Sequence, residues 1–263
     1  MPYASNQGVR IHYEVEGDGP PLVLLHGGLN NLHVWYENGY VESLKKDYKL
    51  ILIDARGYGA SDKPHNPEAY EMELLVADIV AVLNDLNVSK AHFLGYSMAG
   101  WVGFGIAKYA PERFYSLIIG GAHPYLPDQN EIDGNIQLFK KGKDAVIGAM
   151  EKARMKMTPE RRARLATNDY EAIAALFSAK HWRLSFEDVL PTMTMPCLVF
   201  VGESDPLYTG AKDCVKSMPN ATFISFPGLS HFEVMPQRHL VLPHITRFLA
   251  KVSQTRSTNL SAT

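Results

Sequence analysis

"KAHFLGYSMAGWVGFGIAKYA", Lys90 to Ala110, is the stretch that decides the fold. An apolar run, Ala91 to Leu94, passes through Gly95, Tyr96, Ser97, Met98 and Ala99 into a segment patterned like a helix. A buried strand that meets a helix through so short a turn drives the apex residue toward positive φ. The residues two before and two after the apex must then be small to avoid collision. Gly95 and Ala99 meet that requirement, Gly100 follows, and Ser97 stands at the apex. Alone, the pattern Gly-x-Ser-x-small is weak, because about 0.2 chance matches are expected in a chain this long at average composition. Its placement between an apolar strand and a helix gives it weight over the plainer alternative, a serine that merely caps a helix.

Outward from this turn, Val-, Ile- and Leu-rich runs alternate with helical patterns: "VRIHYEV", "PLVLLHG", "YKLILID", "AHFLGYS", "SLIIGGA", "PCLVFVGESD" and "ATFISFP". Several are apolar throughout, as strands of a parallel sheet covered on both faces must be. The clearest helix is Glu68 to Asn87, where Met72, Leu75, Val76, Ile79, Val82, Leu83 and Leu86 form one stripe at spacings of three and four. The alternation reads as repeated βαβ units. From His123 to Thr194 the rhythm breaks into helical patterns only, and "TPERRARL" opens with Thr158 as a cap and Pro159 in the first turn. The expected organisation is an α/β core over 1–122 and 195–252, a helical cap over 123–194 and a polar, frayed tail over 253–263.

The chain has 263 residues, 46% hydrophobic and 21% charged, with a net charge of −2, which fits a soluble globular class with a sizeable core. No nucleic-acid or anionic-membrane partner is expected, since such surfaces bind through clustered Lys and Arg. The basic cluster at Lys140–Lys156 and Arg161–Arg164 is interleaved with apolar residues and reads as a solvated helix face. Cys197 and Cys214 form no CxxC pair, and no His cluster has metal-ligand spacing, so neither a disulfide framework nor a metal site is indicated. Without a signal-like or membrane-length apolar run, the expectation is a cytoplasmic protein.

A serine hydroxyl is a poor nucleophile at neutral pH and needs a base that a third group orients. Asp205 lies just past the run "PCLVFVG", and His231 lies in "FPGLSHF", just past the last run. Both therefore fall in loops at the C-terminal ends of strands, where open α/β sheets build their sites. His123 and His26 are the rivals for the base, and Glu203, Asp213 and Asp54 for the acid. Backbone donors for an oxyanion come from Met98, after the serine, and from the "HGG" loop, where Gly28 is chosen and Leu29 is the near alternative. His26 reads as a brace for that loop.

Together the turn around Ser97, the "HGG" loop, "DARGYGASDKP", "VGESD" and "GLSHF" resemble the serine hydrolase branch of the α/β-hydrolase superfamily over Gly8 to Val252. Within that branch the chain is similar to small bacterial carboxylesterases, some of which also open acyl-homoserine lactones. The resemblance implies a mainly parallel eight-stranded sheet, no cofactor and an acyl-enzyme mechanism with Ser97, Asp205 and His231 as catalytic residues. Asp54, Arg56, Gly57, Gly59 and Ser61 match a loop that is structural in the family. Dehalogenases and epoxide hydrolases of this fold carry Asp as nucleophile, so Ser97 argues against both.

The expected activity is hydrolysis of short- to medium-chain acyl esters. Trp35 and Tyr96 from the core and Phe139, Met150, Phe177 and Trp182 from the cap are the candidate pocket residues, although aromatic residues at helical spacing are commonly plain core. A lactonase would use the same residues. A non-catalytic receptor that binds a ligand in the pocket is the alternative of another class.

Overall fold

Runs that are apolar on both faces become central strands, and the computed structural model, which describes residues 2–153, 155 and 157–260, the last five by backbone alone, sets them in one sheet. In chain order the elements begin with β1 (Tyr3–Asn6), β2 (Val9–Glu16), β3 (Pro21–Leu25), α1 (His33–Glu37), α2 (Tyr40–Leu44) and β4 (Lys49–Ile53). Next come α3 (Met72–Asp85), β5 (Ala91–Tyr96), α4 (Met98–Tyr109) and β6 (Phe114–Gly120). The cap helices are α5 (Gln129–Lys140), α6 (Lys143–Lys152), α7 (Pro159–Thr167) and α8 (Tyr170–Ser178). β7 (Cys197–Gly202), α9 (Tyr208–Cys214), β8 (Ala221–Phe226) and α10 (Arg238–Leu260) complete the chain.

The eight strands run in the order β1-β2-β4-β3-β5-β6-β7-β8. β2 is antiparallel to β1 and β4, and every pair from β4 to β8 is parallel. The mainly parallel eight-stranded sheet is therefore present. Side chains alternate between its faces. Leu22 and Leu24 of β3 pack with α1, α2 and α10, whereas Val23 and Leu25 pack with α3, α4 and the cap.

Two elements differ from the sequence reading. β1 was not expected, because four residues at a sheet edge carry little pattern of their own. It forms by pairing Asn6 with Val9 around Gln7 and Gly8, both at positive φ, the geometry of a two-residue hairpin. The polar stretch after Val252 was expected to fray, yet α10 continues through Leu260. Residues 261–263, with Arg154 and Lys156 of the basic run, lie outside the described residues.

Between β6 and β7 the described residues are helical or irregular. Thr158 Oγ1 accepts the Arg161 amide at 3.2 Å to cap α7, and Asp169 caps α8 through the Glu171 and Ala172 amides. The cap is fastened to the core by aromatic packing. Phe139 of α5 meets Phe177 of α8, Phe177 stacks on Trp182 at 5.1 Å, and Trp182 stacks on Trp101 of α4 at 5.6 Å.

Candidate active site

The turn between β5 and α4 is as tight as its sequence demands. Ser97 has φ 61° and ψ −122°, and its amide donates to the Gly120 carbonyl of the neighbouring strand at 2.8 Å. A Cβ on Gly95 would lie 2.4 Å from the Ala99 carbonyl oxygen, so any side chain there would displace backbone. The strain at Ser97 is held by the sheet behind it and by the helix that starts at Met98.

Three loops at the C-terminal ends of parallel strands bring polar side chains together. His231, after β8, receives the Ser97 hydroxyl at 2.8 Å through Nε2 and donates through Nδ1 to Asp205 Oδ2 at 2.7 Å. The Asp205 carboxylate is fully buried, and its other oxygen accepts the Leu207 amide at 2.9 Å. A carboxylate held in this way demands the proton on Nδ1, which leaves the Nε2 lone pair facing the serine. The rivals are engaged elsewhere. Glu203 accepts from Ser225, Asp213 pairs with Lys216, and Asp54 accepts His12 Nδ1, the Leu32 amide and the Ala60 amide. Arg56 of the same loop is bonded to Asp78 through two nitrogens, so this loop is built as structure.

His26 braces the glycine loop. Its Nε2 accepts the Ala55 amide at 3.1 Å, so its Nδ1 carries the proton and donates to the Gly27 carbonyl at 2.8 Å. Burial lowers its pKa and keeps the ring neutral. In a trans peptide the carbonyl and the next amide point opposite ways, so fixing the Gly27 carbonyl also fixes the Gly28 N–H. A Cβ on Gly27 would come within 3.2 Å of the Ser97 Cβ, which places this loop against the serine. The Met98 amide opens α4, where the first N–H groups have no acceptor within the helix and the helix dipole is positive. Leu29, just after Gly28, sits at φ 61°, a conformation that costs a residue with a Cβ about 1–2 kcal/mol.

The expected pocket residues fare differently. Trp35 is buried on the other face of the sheet with Leu22, Leu24 and Tyr40, so it belongs to the core and not to a pocket. The reason is the alternation of β3, which presents Leu22 and Leu24 to α1. Tyr96 reaches the site, but its hydroxyl donates to the His231 carbonyl at 2.7 Å and its ring packs 5.3 Å from the imidazole. It supports His231. Phe139 and Trp182 are buried in the stack that docks the cap, Phe177 is half-buried within it, and Met150 packs half-buried against the same core. Leu176 of the cap also reaches the serine helix and shares a small void of about 20 Å³ with Met98 and Val102. Sequence spacing carried no signal for that reach. Nor did it mark Asn168, whose side-chain amide donates to the Leu29 carbonyl at 3.3 Å.

Burial pushes the Cys197 and Cys214 thiols up to about 12, so neither is a thiolate at neutral pH. Among the described residues there is no group of three or more His, Cys, Asp or Glu side chains disposed to hold a metal, and no helix is long and apolar enough to cross a membrane.

Comparison with known proteins gives one fold and several chemistries. Epoxide hydrolase 4 of Mus musculus is 34% identical over 138 residues, a match to 51% of this chain and only 38% of that protein. A putative non-heme chloroperoxidase of Synechocystis sp. is 27% identical over 278 residues, covering 95% of this chain and 100% of that one. The structure of a thermophilic esterase from Thermogutta terrifontis matches with a TM-score of 0.82 at 24% identity, over 95% of this chain and 98% of its own, a likeness of fold. A sequence model of the alpha/beta hydrolase fold matches residues 20–235, from β3 through the loop that carries His231, and the chain belongs to that family.

Proposed function

We propose that this chain is a serine hydrolase of carboxylic esters, acting on short- to medium-chain acyl groups through an acyl-enzyme. The observation that carries the reading is the unbroken run of hydrogen bonds from Asp205 through His231 to Ser97. In this reading Ser97 Oγ attacks the ester carbonyl as His231 Nε2 takes its proton, and buried Asp205 stabilises the imidazolium that results. The Met98 and Gly28 amides receive the oxyanion. Collapse expels the alcohol, which takes the proton back from His231 and leaves an acyl-Ser97 ester. Water then attacks that ester with His231 again as base, releasing the acid and the free serine.

Relatives of different named chemistry share the fold, so the argument rests on the apex residue and its partners. Fluorophosphonate labelling read by intact mass, beside a panel of p-nitrophenyl esters and acyl lactones, tests it. A single adduct on Ser97, lost together with ester turnover in Ser97→Ala, is the expected result. Turnover of lactones but not of open-chain esters would move the substrate class to cyclic esters. An unlabelled, inert but folded protein would favour a binding role for the pocket and overturn the proposal.

A further inference from the structure

The loop that follows β3 is held at four points. His26 fixes the Gly27 carbonyl, Asn30 Nδ2 donates to the Gly28 carbonyl at 3.2 Å, and Asp54 Oδ1 accepts the Leu32 amide at 2.8 Å. These three bonds come from the core. The fourth comes from the cap, where Asn168, between α7 and α8, donates to the carbonyl of Leu29. Leu29 is also the residue most in need of restraint, a half-buried leucine in the left-handed region beside the proposed oxyanion donor. Such residues persist only where their surroundings over-determine them.

Asn168 does not make this contact in isolation. One α-helical turn earlier, Arg164 Nη1 meets both carboxylate oxygens of Glu37 at 2.6 and 2.7 Å, and its side chain is only 9% exposed. The next residue, Asp169, receives His65 Nε2 at 2.9 Å. Residues 164–169 therefore grip the core on both sides of the glycine loop, after β3 and after β4. Whatever holds this corner of the cap also holds the Leu29 carbonyl.

We propose that Asn168 is a positioning residue for acyl transfer, and that its bond to Leu29 holds the chain just after Gly28, so that the Gly28 amide, fixed on its other side by His26, stays where the oxyanion forms. This rests on the ester-hydrolase reading above. It gives the cap a share in the chemistry as well as in enclosing substrate. Relaxation of Leu29 to negative φ would swing the peptide between Gly28 and Leu29 and turn Gly28 with it, so that the Gly28 amide, in the peptide before, would be pulled off its aim. The effect would be felt in the transition state, so kcat should fall with KM little changed.

The test compares wild type, Asn168→Ala and the isosteric Asn168→Asp, which at neutral pH has no proton to donate to a carbonyl. Steady-state kinetics are measured with p-nitrophenyl acetate, butyrate and hexanoate, and active sites are counted by fluorophosphonate titration. Both variants should lose about tenfold in kcat, short of the 10²–10³ that follows outright loss of an oxyanion donor, equally for all three chain lengths and with KM within twofold. If Asn168→Ala does not fold, Asn168→Asp decides alone. An active wild type whose variants keep kcat within twofold overturns the proposal, as does a loss that appears in KM and grows with chain length, because Asn168 then only shapes the pocket. A wild type that neither labels nor turns over any ester overturns the hydrolase reading and this proposal with it.

Discussion

Tyr96→Phe removes one oxygen atom from the site and nothing else. The hydroxyl donates to the His231 carbonyl at 2.7 Å, while the ring, tilted against His231 and Phe200, can stay where it is. Two costs follow. The hydrogen bond itself contributes about 1 kcal/mol, and leaving the half-buried His231 carbonyl without its partner raises the net loss to about 1–2 kcal/mol. For a chain of this size about 1–2 kcal/mol of net loss lowers Tm by roughly 2–8 °C. The catalytic cost has a different origin, because His231 sits in a loop and its backbone is anchored here. If about half of the lost energy is freedom gained by that loop, kcat falls about two- to fivefold while KM barely moves. Calorimetry and steady-state kinetics on p-nitrophenyl acetate read the two effects separately. A variant with wild-type kcat, whatever its Tm, would refute the claim that Tyr96 positions the base, and a wild-type Tm would refute the claim that its hydrogen bond supports the fold.

Gly95→Ala places a Cβ 2.4 Å from the Ala99 carbonyl oxygen, so the elbow must distort. A loss of about 3 kcal/mol or more and nearly complete loss of esterase activity are expected, measured by urea unfolding and turnover, and a stable, active variant would contradict the geometry of the turn. Trp182→Ala opens the aromatic stack between Phe177 and Trp101 and should cost about 3–5 kcal/mol and loosen the cap to limited proteolysis, whereas Trp182→Phe keeps a ring in place and should stay near wild type. A Trp182→Ala protein of unchanged Tm that merely accepts longer acyl chains would show the residue to be pocket wall after all. Burial drives the pKa of His181 down to about 3 from its ordinary 6.5. Between those values the unfolded chain binds a proton that the folded chain does not, so the stabilisation is whole above about pH 6.5 and is lost as pH falls, at about 1.4 kcal/mol per unit. Urea unfolding from pH 4.5 to 7.5 should show a slope shallower by that amount in His181→Gln, and parallel curves would mean that His181 is not buried in its neutral form.

The residues that could be placed from sequence are those whose position is set by backbone geometry. Ser97 had to stand at a turn that only small neighbours permit, and Asp205 and His231 follow strands whose apolar runs mark where the C-terminal edge of the sheet lies. No distant contact had to be guessed. The aromatic candidates were different, because whether a ring lines a pocket or fills a core depends on which face its element presents and what packs there. Trp35 shows this. One residue of register along β3 separates the face that holds Trp35 from the face toward the cap, and α1 begins only after an irregular loop that hides the phase. β1 was illegible for a related reason, since its four residues become a strand only through the ladder that β2 provides.

What stayed out of sight in the sequence is the use to which polar side-chain tips are put. Tyr96 and Asn168 look like any tyrosine and any asparagine at the end of an element. Each nonetheless donates to a single backbone carbonyl, of His231 in one case and Leu29 in the other, in the loops that carry the proposed base and the proposed oxyanion donor. Both bonds join segments far apart in the chain, so neither spacing nor periodicity can announce them. The same distance explains why they matter to the chemistry. The proposed acyl-transfer site at the ends of the strands is assembled from loops that have no ladder of their own. Its precision must therefore come from bonds thrown across the site by the elements around it, and one of those elements here is the cap.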